Sequence, residues 1–347
     1  MAETYISMRQ FAKMAGVSPA TVSHVFSNPE SVAKDTVKHV LELAEHVGFS
    51  PNLVAKAAFG EPTRSVGVLL SSLSDRYFGG IAAGMQAALI RAGYLPIFIA
   101  GTSAPEESQI RLLKHKVDAL VIGCSDEHLN IPSICMKQMA RMPVVVIEQL
   151  RPGLWCDSVL NDDFDGGLQA GRHLAELGHR RFGVCIYGES ASNSLFRLNG
   201  FRTAIEQSGG ELPEEFVTRL DFHCSEADAG RKLTEELIAI LRRPDAPTAF
   251  FATTDYLALR VYDAARALKL RIPQELSIVG FGDLQFGSYI SPALTTVRQD
   301  PETIGRKTAE LVLNRLQEPR RAIEEIRVPV QLIVRESTAN GRDSATR

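Results

Sequence analysis

The chain has 347 residues, 45% of them hydrophobic and 23% charged, and a formal net charge of −3 at pH 7. This length predicts more than one domain, and the composition is that of an average globular protein. The slightly acidic balance argues against indiscriminate binding to nucleic acid. Apolar runs are too short for a membrane span, no secretory signal is expected, and the five cysteines are scattered without metal-ligand spacing. We therefore expect a cytoplasmic protein with no membrane association, metal or cofactor.

A stripe of apolar residues predicts the first helix. Its members recur at i, i+3, i+4 and i+7, and they are Met8, Phe11, Ala12 and Ala15. Gly16 follows directly, where a helix end favours a residue that tolerates positive φ. Ser18 is typical of an N-cap and Pro19 of a first helical position, so a second helix is expected after a tight turn. The pattern indicates a helix-turn-helix unit.

The second and third helices are expected to complete one small core. In the second helix we expect Val22, Val25 and Phe26 to point inward. The opposite face is small and polar, with Ala20, Ser23, His24 and Ser27. Apolar residues at helical spacing predict the third helix, and they are Val37, Val40, Leu41, Ala44 and Val47. Gly48 is expected to end it. Such a unit is suited to placing a few side chains in the major groove of DNA.

The stretch from Ile6 to Gly67 resembles the headpiece of the lactose/galactose repressor (LacI/GalR) family. The matching positions are Ala12, 15–18, 21–24, 47–52, Ala55 and 65–69, and the similarity continues to about Ser337. The resemblance implies an all-α helix-turn-helix headpiece over 1–50 and a hinge helix with a linker over 51–63. Residues 64–347 are then expected to form an α/β core of the periplasmic-binding-protein-like type I fold, with two doubly wound lobes.

The resemblance also implies which residues bind DNA. In the headpiece they are Ser18, Pro19, Ala20, Thr21, Ser23 and His24, and in the hinge they are Asn52, Ala55, Lys56, Ala58 and Phe59. His24 can donate to a purine acceptor, and the alternative is a solvated surface histidine. Ala58 stands where the family usually has a leucine that wedges into the minor groove. We expect weaker bending of the DNA, or use of Phe59 instead. Ala33 similarly replaces a usual Ser or Thr cap of the third helix.

From Ser65 onward, predicted strands and helices alternate. The strands are 66–70, 95–100, 119–123, 144–148, 159–161, 182–186, 249–252 and 277–280. Helical stretches include 77–92, 166–177, 195–208 and 255–268. Alternation of this kind predicts parallel sheets covered by helices, and there are too many units for one sheet. The family fold implies three crossings between two lobes, which we place near Asp162, Ile290 and Ile323. Lobe 1 then covers about 64–161 and 291–322, and lobe 2 about 162–290 and 323–337.

Several polar and aromatic residues follow the predicted strands, at the edge where open α/β sheets bind ligands. The candidate effector-binding residues are Asp75, Tyr77, Phe78, Asp163, Arg197, Phe222, Asp255 and Asp283. Carboxylates and a guanidinium suit hydroxyl or carboxylate groups, and aromatic rings can stack on a ligand ring or cover a sugar face. Three alternatives stay open for these residues. In them, Asp255 serves only as a helix cap, Tyr77 and Phe78 belong to the core, and Asp162 serves only to hold the crossing between the lobes.

One departure from the family pattern concerns the effector. Most members carry an acidic residue at the position of Gly282, so one carboxylate is missing from the cleft, with Asp283 next to it. Loss of a negative charge near Arg197, which matches the family's arginine, makes an acidic effector more tolerable. We hypothesise a sugar or a sugar acid.

Two other classes of protein compete with this interpretation. A periplasmic sugar-binding protein would have a signal peptide and no headpiece. For an enzyme we expect a catalytic or cofactor motif, and the sequence has no phosphate loop, G-x-G-x-x-G, G-x-S-x-G, H-E-x-x-H or paired cysteines. We predict a non-enzymatic transcriptional regulator, a repressor by default. It is expected to bind a palindromic operator in double-stranded DNA as a homodimer, through an interface that includes 79–92.

Overall fold

The computed structural model describes residues 6–49, 62–73, 75–100, 110, 113, 116–123, 142–148, 156–188, 192–220 and 226–341. The described chain divides into two compact units. The first contains the residues up to Ser65 together with those of 112–118, and the second contains the remainder. None of the described helices is both long and apolar enough to span a bilayer.

The first unit begins with the three predicted helices. These are α1 (Met8–Met14), α2 (Pro19–Ser27) and α3 (Lys34–Val47). Gly16 and Gly48 have φ values of 66° and 64°, the left-handed conformation expected where α1 and α3 end. The apolar stripes meet in one core of Phe11, Ala12, Ala15, Val22, Val25, Val40, Ala44 and Phe49. The rings of Phe11 and Phe49 stack with centroids 3.9 Å apart, which fastens the end of α3 to α1.

The expectation that Leu41 belongs to this core is wrong. Its side chain is 44% exposed, whereas Val40 and Ala44 are buried. Successive residues on a helix are about 100° apart. The inward stripe of α3 therefore runs through Val40 and Ala44, and Leu41 lies beside it.

Twelve described strands form the two sheets of the second unit. They are β1 (Ser65–Leu70), β2 (Leu95–Ala100), β3 (Ala119–Gly123), β4 (Val144–Ile147), β5 (Asp157–Asn161), β6 (Phe182–Tyr187), β7 (Val217–Leu220), β8 (Ala249–Ala252), β9 (Ser277–Gly282), β10 (Thr295–Arg298), β11 (Glu325–Val328) and β12 (Gln331–Ile333). One sheet has the order β11-β5-β4-β3-β1-β2 and the other β12-β10-β9-β8-β6-β7. The orders correspond strand for strand, so the two lobes repeat one design. We call them lobe 1 and lobe 2.

The described helices of this unit cover the sheets. They are α4 (Arg76–Arg91), α5 (Asp163–Glu176), α6 (Ser192–Gln207), α7 (Glu226–Leu241), α8 (Asp255–Ala267) and α9 (Pro301–Gln317). Helices α4 and α9 pack together in lobe 1. In lobe 2, α5 and α6 cover one face of the sheet, and α7 and α8 cover the other. Buried strands with helices on both faces are the doubly wound arrangement.

The chain crosses between the lobes three times. The first crossing lies at Asp162, between β5 of lobe 1 and α5 of lobe 2. The second lies at 299–300, because β10 pairs in parallel with β9 of lobe 2 before α9 packs on lobe 1. The third lies at 329–330, between β11 and β12. The positions predicted near Ile290 and Ile323 therefore come too early in the chain.

Hydrogen-bond pairing explains these two errors. Residues 291–298 were predicted for lobe 1, yet Thr295, Thr296 and Val297 extend the sheet of lobe 2. Residues 323–328 were predicted for lobe 2, yet Ile326 pairs with Val159 in lobe 1. The sequence pattern does not predict β7, β10, β11 or β12. All four are short and contain polar residues, so their apolar pattern is too weak to detect in the sequence, and β7, β11 and β12 are also edge strands.

Candidate functional site

The first turn of α2 carries exposed residues that the resemblance assigns to DNA. Ser18 is the N-cap, and its hydroxyl accepts a hydrogen bond from the backbone N–H of Thr21 at 3.0 Å. The two hydroxyl groups of Ser18 and Thr21 lie 2.8 Å apart. Pro19, Ala20 and His24 are exposed. The cap therefore fixes the start of a helix that exposes Pro19, Ala20 and His24 to solvent.

The other candidate DNA residues lie either in α2 or in the hinge. In α2, Nδ1 of His24 lies 3.4 Å from the hydroxyl of Ser31, and Ser23 is half-buried. The hinge candidates lie outside the described residues, and they are Asn52, Ala55, Lys56, Ala58 and Phe59.

A buried ion pair lies where the chain first crosses between the lobes. Nε of Arg197 in α6 donates to Oδ1 of Asp163 in α5 at 2.7 Å, and both side chains are less than a tenth exposed. Nη1 of Arg197 donates to the backbone oxygen of Thr253 at 2.7 Å, and its Cζ lies 3.7 Å from the ring centroid of Phe281. Burial raises the pKa of Asp163, and Arg197 opposes that rise.

Two glycines allow this pair to form. A Cβ on Gly167 of α5 would collide with the backbone oxygen of Arg197, and a Cβ on Gly200 of α6 would collide with that of Phe164. The two helices thus approach at backbone distance. This approach brings the first turn of α5, which holds Asp163, to the guanidinium group on α6.

A second polar group comes from lobe 1. Nδ2 of Asn161, the last residue of β5, donates to Oη of Tyr77 at 2.6 Å and to Oε1 of Glu148 at 3.0 Å. The backbone N–H of Asn161 also donates to this Oε1, at 3.2 Å. The ring of Tyr77 meets that of Phe78 edge to face at 5.6 Å. Burial, followed by the charges of Glu148 and Asp163, raises the pKa of Tyr77 well above its usual value.

Electrostatic coupling joins the two groups into one cluster. Burial, together with the nearby charge of Asp163, raises the pKa of Glu148 to about 7, against the lowering effect of Arg197. Of the sequence candidates, the cluster contains Tyr77, Asp163 and Arg197. Glu148 and Asn161 were missed as candidates, although each stands at the end of a hydrophobic strand, the same signal that selected the others.

Two oxygens in this cluster have no protein partner. Within the described part of the chain, Oε2 of Glu148 and Oδ1 of Asn161 are buried and accept no hydrogen bond. Asn161 is 1% exposed. Buried polar atoms are nearly always satisfied by protein, water or ligand. The donors for these two acceptors can come from the neighbouring hydroxyl of Tyr77, from water or from a ligand.

Asp255 belongs to a separate polar group in lobe 2. It is completely buried, and it accepts hydrogen bonds from Oγ1 of Thr296 at 2.6 Å and from the backbone N–H of Leu284 at 2.7 Å. Burial raises its pKa to about 6, although both hydrogen bonds lower it. The cap of α8 is Thr254 and not Asp255. Asp255 instead joins α8 to β10 and to the segment after β9.

Asp283 forms ion pairs with two arginines. Its Oδ1 accepts from Nη2 of Arg335 at 2.5 Å and its Oδ2 from Nε of Arg298 at 2.6 Å. Burial raises the pKa of Asp283, but these two arginines outweigh that effect and lower it. Gly282 has a backbone φ of 133°, a conformation that residues other than glycine rarely adopt. The backbone conformation at position 282 therefore favours glycine, and the acidic residue usual in the family is absent there.

The other effector candidates have different surroundings. Asp75 is the N-cap of α4, where its Oδ1 accepts from the backbone N–H of Tyr77 at 2.7 Å. Phe78 packs against the core of lobe 1. Phe222 lies outside the described residues. Across the residues that the structure describes, no His, Cys, Asp and Glu side chains assemble into a group that could hold a metal ion.

A helix-turn-helix unit on the same chain as a two-sheet α/β core defines a class of DNA-binding transcription regulators. Comparisons with known proteins agree with this class. Residues 7–52 match the family described as bacterial regulatory proteins, lacI family, and residues 172–338 match the periplasmic binding protein-like domain. The transcriptional repressors PurR of Klebsiella pneumoniae (strain 342) and Escherichia coli (strain SE11) are each 30% identical to the chain over 339 residues, which is 96% of this chain and 97% of theirs.

Solved structures give the same result for the fold. A transcriptional regulator CelR in complex with cellobiose is 28% identical, with a TM-score of 0.70 over 95% of this chain and 99% of that one. A LacI family regulator from Enterococcus faecium with bound ribose is 28% identical, with a TM-score of 0.67 over 80% and 100%. The lac repressor dimer bound to operator and the anti-inducer ONPF is 23% identical, and its TM-score of 0.82 over 97% and 100% shows the shared fold.

The chain belongs to the lacI family of bacterial regulatory proteins. The predicted fold, a helix-turn-helix headpiece followed by a periplasmic-binding-protein-like core, is confirmed. The family is one of transcription regulators and not of enzymes.

Proposed function

We propose that this protein is a transcriptional repressor that binds a palindromic operator as a homodimer and responds to a small metabolite, a sugar or sugar acid, held between the lobes. The observation that carries the proposal is the presence on one chain of an exposed recognition helix and a buried polar cluster drawn from both lobes. The names of the relatives, repressors and sugar-bound regulators, support it.

The DNA-binding surface is proposed to be the outer face of α2 together with the hinge. Pro19, Ala20 and His24 would face base edges, and Thr21 and Ser23 would lie near phosphates. Ser18 would act mainly by capping α2. In the hinge of 51–63, the proposed contacts are Asn52, Ala55, Lys56, Ala58 and Phe59.

The effector site is proposed to lie at the cluster of Tyr77, Asp163 and Arg197, with Glu148 and Asn161 added. Asp75, Phe78, Phe222, Asp255 and Asp283 remain candidates for its periphery. Asp283 has its charge balanced by two arginines. It is therefore not expected to replace the family's missing carboxylate at 282.

Regulation is proposed to be a linkage between effector binding and DNA binding through the angle of the lobes. The three crossings at 162, 299–300 and 329–330 are the segments about which this angle would change. Nη1 of Arg76 in lobe 1 donates a hydrogen bond to Oε1 of Gln285 in lobe 2. This contact joins the lobes outside the crossings, so a change of angle would break or strengthen it.

The homodimer is proposed to form through lobe 1, including 79–92. Ile81, Met85 and Leu89 of α4 are used inside the lobe, where they are completely buried. Ile90 and Leu95 are 54% and 53% exposed, and they supply apolar surface for a partner. A single helix-turn-helix reads only a half-site, so a two-fold dimer would read a palindrome in the cytoplasm, where the DNA lies.

The experiment that tests the function is selection of binding sites from a random pool of double-stranded DNA by the full-length protein. We expect enrichment of a palindrome with two equal half-sites, bound by two chains. Ribose, cellobiose or galacturonate would then be added to the selected complex to measure release or tighter binding. Absence of enrichment, both alone and with a metabolite extract, would contradict the proposal.

A further inference from the structure

Residues 336–341, named here the strap, follow β12 and lie against the sheet of lobe 2. Ser337 is completely buried, and its backbone oxygen accepts a hydrogen bond from the N–H of Ile278 in β9 at 2.8 Å. Its Oγ accepts from the backbone N–H of Thr295, the first residue of β10, at 2.8 Å and donates to the backbone oxygen of Ile278 at 2.6 Å. The strap therefore joins the beginnings of β9 and β10.

A buried histidine contacts the strap. His179, between α5 and β6, is 4% exposed, and its Nε2 lies 3.1 Å from the backbone oxygen of Ala339. This oxygen can only accept, so Nε2 carries a proton and donates it. Nδ1 lies 2.9 Å from Oγ1 of Thr248 and accepts from that hydroxyl when the ring is neutral. Oγ of Ser277, 3.0 Å from Nε2, accepts from the N–H of Ala339 at 3.1 Å. The neutral ring of His179 thus fits the docked strap.

A second histidine contacts the preceding residue of the strap. Nε2 of His173, in the last turn of α5, lies 3.0 Å from Oγ1 of Thr338, and this hydroxyl lies 3.2 Å from Oγ1 of Thr295. Further along, the N–H of Gly341 donates to the backbone oxygen of Leu177 at 2.6 Å. The strap is therefore held between the end of α5 and the beginnings of β9 and β10.

The groups around the two rings leave a positive charge on His179 uncompensated. Its own hydrogen-bond partners are hydroxyl groups and a backbone oxygen, all neutral. The guanidinium of Arg180 donates to the backbone oxygen of His179 at 2.9 Å, which adds a positive charge nearby. Glu176 acts on His173, and the carboxylate of Glu336 in the strap accepts from a backbone N–H before β10. Within the part of the chain that the structure describes, neither ring hydrogen-bonds to a carboxylate.

Burial lowers the pKa of both histidines. For His179 the backbone oxygen of Ala339 opposes this effect and the charge of His173 adds to it. For the half-buried His173, Glu176 opposes it. Neutral rings are thus favoured while the strap is docked. The stabilisation that they contribute is fully present above the ordinary histidine pKa of 6.5 and is lost as the pH falls below it, through the lowered values.

We propose that the strap is an acid-sensitive element of the fold, in which proton uptake, chiefly by His179 and to a smaller extent by His173, releases 336–341 from lobe 2 and loosens the beginning of β10. Because β10 leads into the second crossing at 299–300, this release reduces a constraint on the angle between the lobes. The strap lies at the opposite end of the sheet from Arg197, which donates to the residue that follows β8. Protons therefore act at a place separate from the proposed effector site.

Hydrogen exchange of the full-length protein tests the proposal, measured by mass spectrometry at pH 7.5 and 5.5 and corrected for intrinsic exchange. The amides that report on the strap are those of Ile278, Thr295, Ala339 and Gly341. We expect their protection to fall at least about threefold at pH 5.5, while the protection of β8 stays the same.

Two variants assign the effect to the histidine. H179Q keeps a neutral N–H donor and does not titrate, so it should remove most of the fall in protection. H46Q, on the exposed side of α3, is the matched control and should show the full fall.

Three results would overturn the proposal. They are strap protection that is independent of pH, a fall of the same size in H179Q, and an equal fall in β8, which would mean unfolding of the whole lobe. If H179Q has already lost the protection at pH 7.5, the carbon-13 NMR signal of the His179 ring in the unmutated protein decides, assigned by its absence from H179Q. Proton uptake over the pH range in which the strap is released supports the proposal, and uptake outside that range contradicts it. These measurements use neither DNA nor effector, so they are independent of the proposed function.

Discussion

Arg197 and Asp163 form a buried ion pair, with 2.7 Å between Nε and Oδ1, at the point where the chain first passes from lobe 1 to lobe 2. The pair connects the first turn of α5 to the middle of α6. The pair stabilises the packing of lobe 2. Because it lies close to Asn161 and Glu148, it also lines the proposed effector site. Mutations can separate these two roles.

Removal of the Asp163 charge should destabilise the protein strongly. Asp163→Asn preserves the shape but leaves the guanidinium of Arg197 buried without its carboxylate, a change that typically costs about 3–5 kcal/mol. The burial that raises the pKa of Asp163 offsets part of this cost, because the neutral asparagine requires no desolvation of a charge. Urea unfolding of the full-length protein measures the loss. Glu235→Gln is the control, because Glu235 forms an exposed pair with Arg231 at 3.2 Å, and it should change the stability by less than about 0.5 kcal/mol. Equal effects of the two variants would contradict the structural role of the buried pair.

Glu148 should make stability depend on pH. Burial and Asp163 raise its pKa to about 7 from an ordinary value of 4.5, while Arg197 opposes the rise and Tyr77 faces the same carboxyl. The protonated form is favoured in the folded state, so the stability that it contributes is fully present below pH 4.5 and is lost as the pH rises through about 7.

Glu148→Gln mimics the protonated form, so it should raise the melting temperature at pH 8 relative to the unmutated protein. The difference should shrink steadily towards pH 5. Thermal unfolding at a series of pH values measures this difference, with Glu206→Gln, on the exposed side of α6, as the control that leaves the profile unchanged. A difference between Glu148→Gln and the unmutated protein that is constant with pH would show that Glu148 does not titrate in this range.

A cap on α3 should stabilise the headpiece. Ala33 occupies the N-cap position with extended backbone and has no side-chain acceptor, whereas Ser18 caps α2 with its hydroxyl. Ala33→Ser should therefore gain about 1 kcal/mol, and Ser18→Ala should lose about the same amount. Hydrogen exchange of the headpiece amides in the full-length protein measures both changes. Two variants that shift stability in the same direction would rule out this account of the caps.

The contact between α5 and α6 should tolerate no side chain at Gly167. A Cβ there meets the backbone oxygen of Arg197, so Gly167→Ala should force the helices apart and cost about 1–3 kcal/mol. Gly230 of α7 is the matched control, because the nearest atoms to a Cβ there are the guanidinium atoms of Arg260 at 3.5 Å. Gly230→Ala should be neutral or stabilising by up to about 1 kcal/mol, since alanine favours helix more than glycine does. Chemical unfolding of both variants checks the contrast.

His24 should contribute to sequence preference. It is exposed on α2, and a good contact to a base edge is worth about 1–3 kcal/mol of discrimination. His24→Ala should therefore relax the preference at one base pair in each half-site of the selected operator while leaving the other positions intact. His46→Ala, at the exposed end of α3, should select the same operator as the unmutated protein. If His24→Ala left the base preference of the selected operator unchanged, His24 would be a solvated surface histidine without a role in sequence recognition.

Much of the fold follows from local patterns. The stripe through Phe11 and Ala15, the cap at Ser18 and the left-handed glycines at 16 and 48 all act within a few residues, and each was predicted from the sequence. The buried strands β3 and β4 are continuous hydrophobic runs, so they were also predicted. Patterns of this kind depend on neighbours along the chain, which a single sequence contains in full.

The candidate site was predicted only in part, for a corresponding reason. The family positions and the strand ends indicate Arg197 and Asp163, whereas the sequence pattern indicates Glu148 only as the end of a strand. Its role depends on burial and on the nearby charge of Asp163, which comes from another lobe. Asp283 was expected to face the effector, yet it pairs with Arg298 at the end of β10 and with Arg335, which follows the third crossing. Partners so distant along the chain leave no periodic signal.

By itself, the sequence determined the headpiece helices, the alternation of strands and helices, and the family, because these depend on local periodicity and on ordered motifs. Only the tertiary structure decided where the chain crosses between the lobes, which carboxylates are paired, and that Glu148 and Asn161 lie buried in one cluster. The physical reason is that strand pairing, burial and charge coupling depend on distances in space between residues that are far apart in the chain.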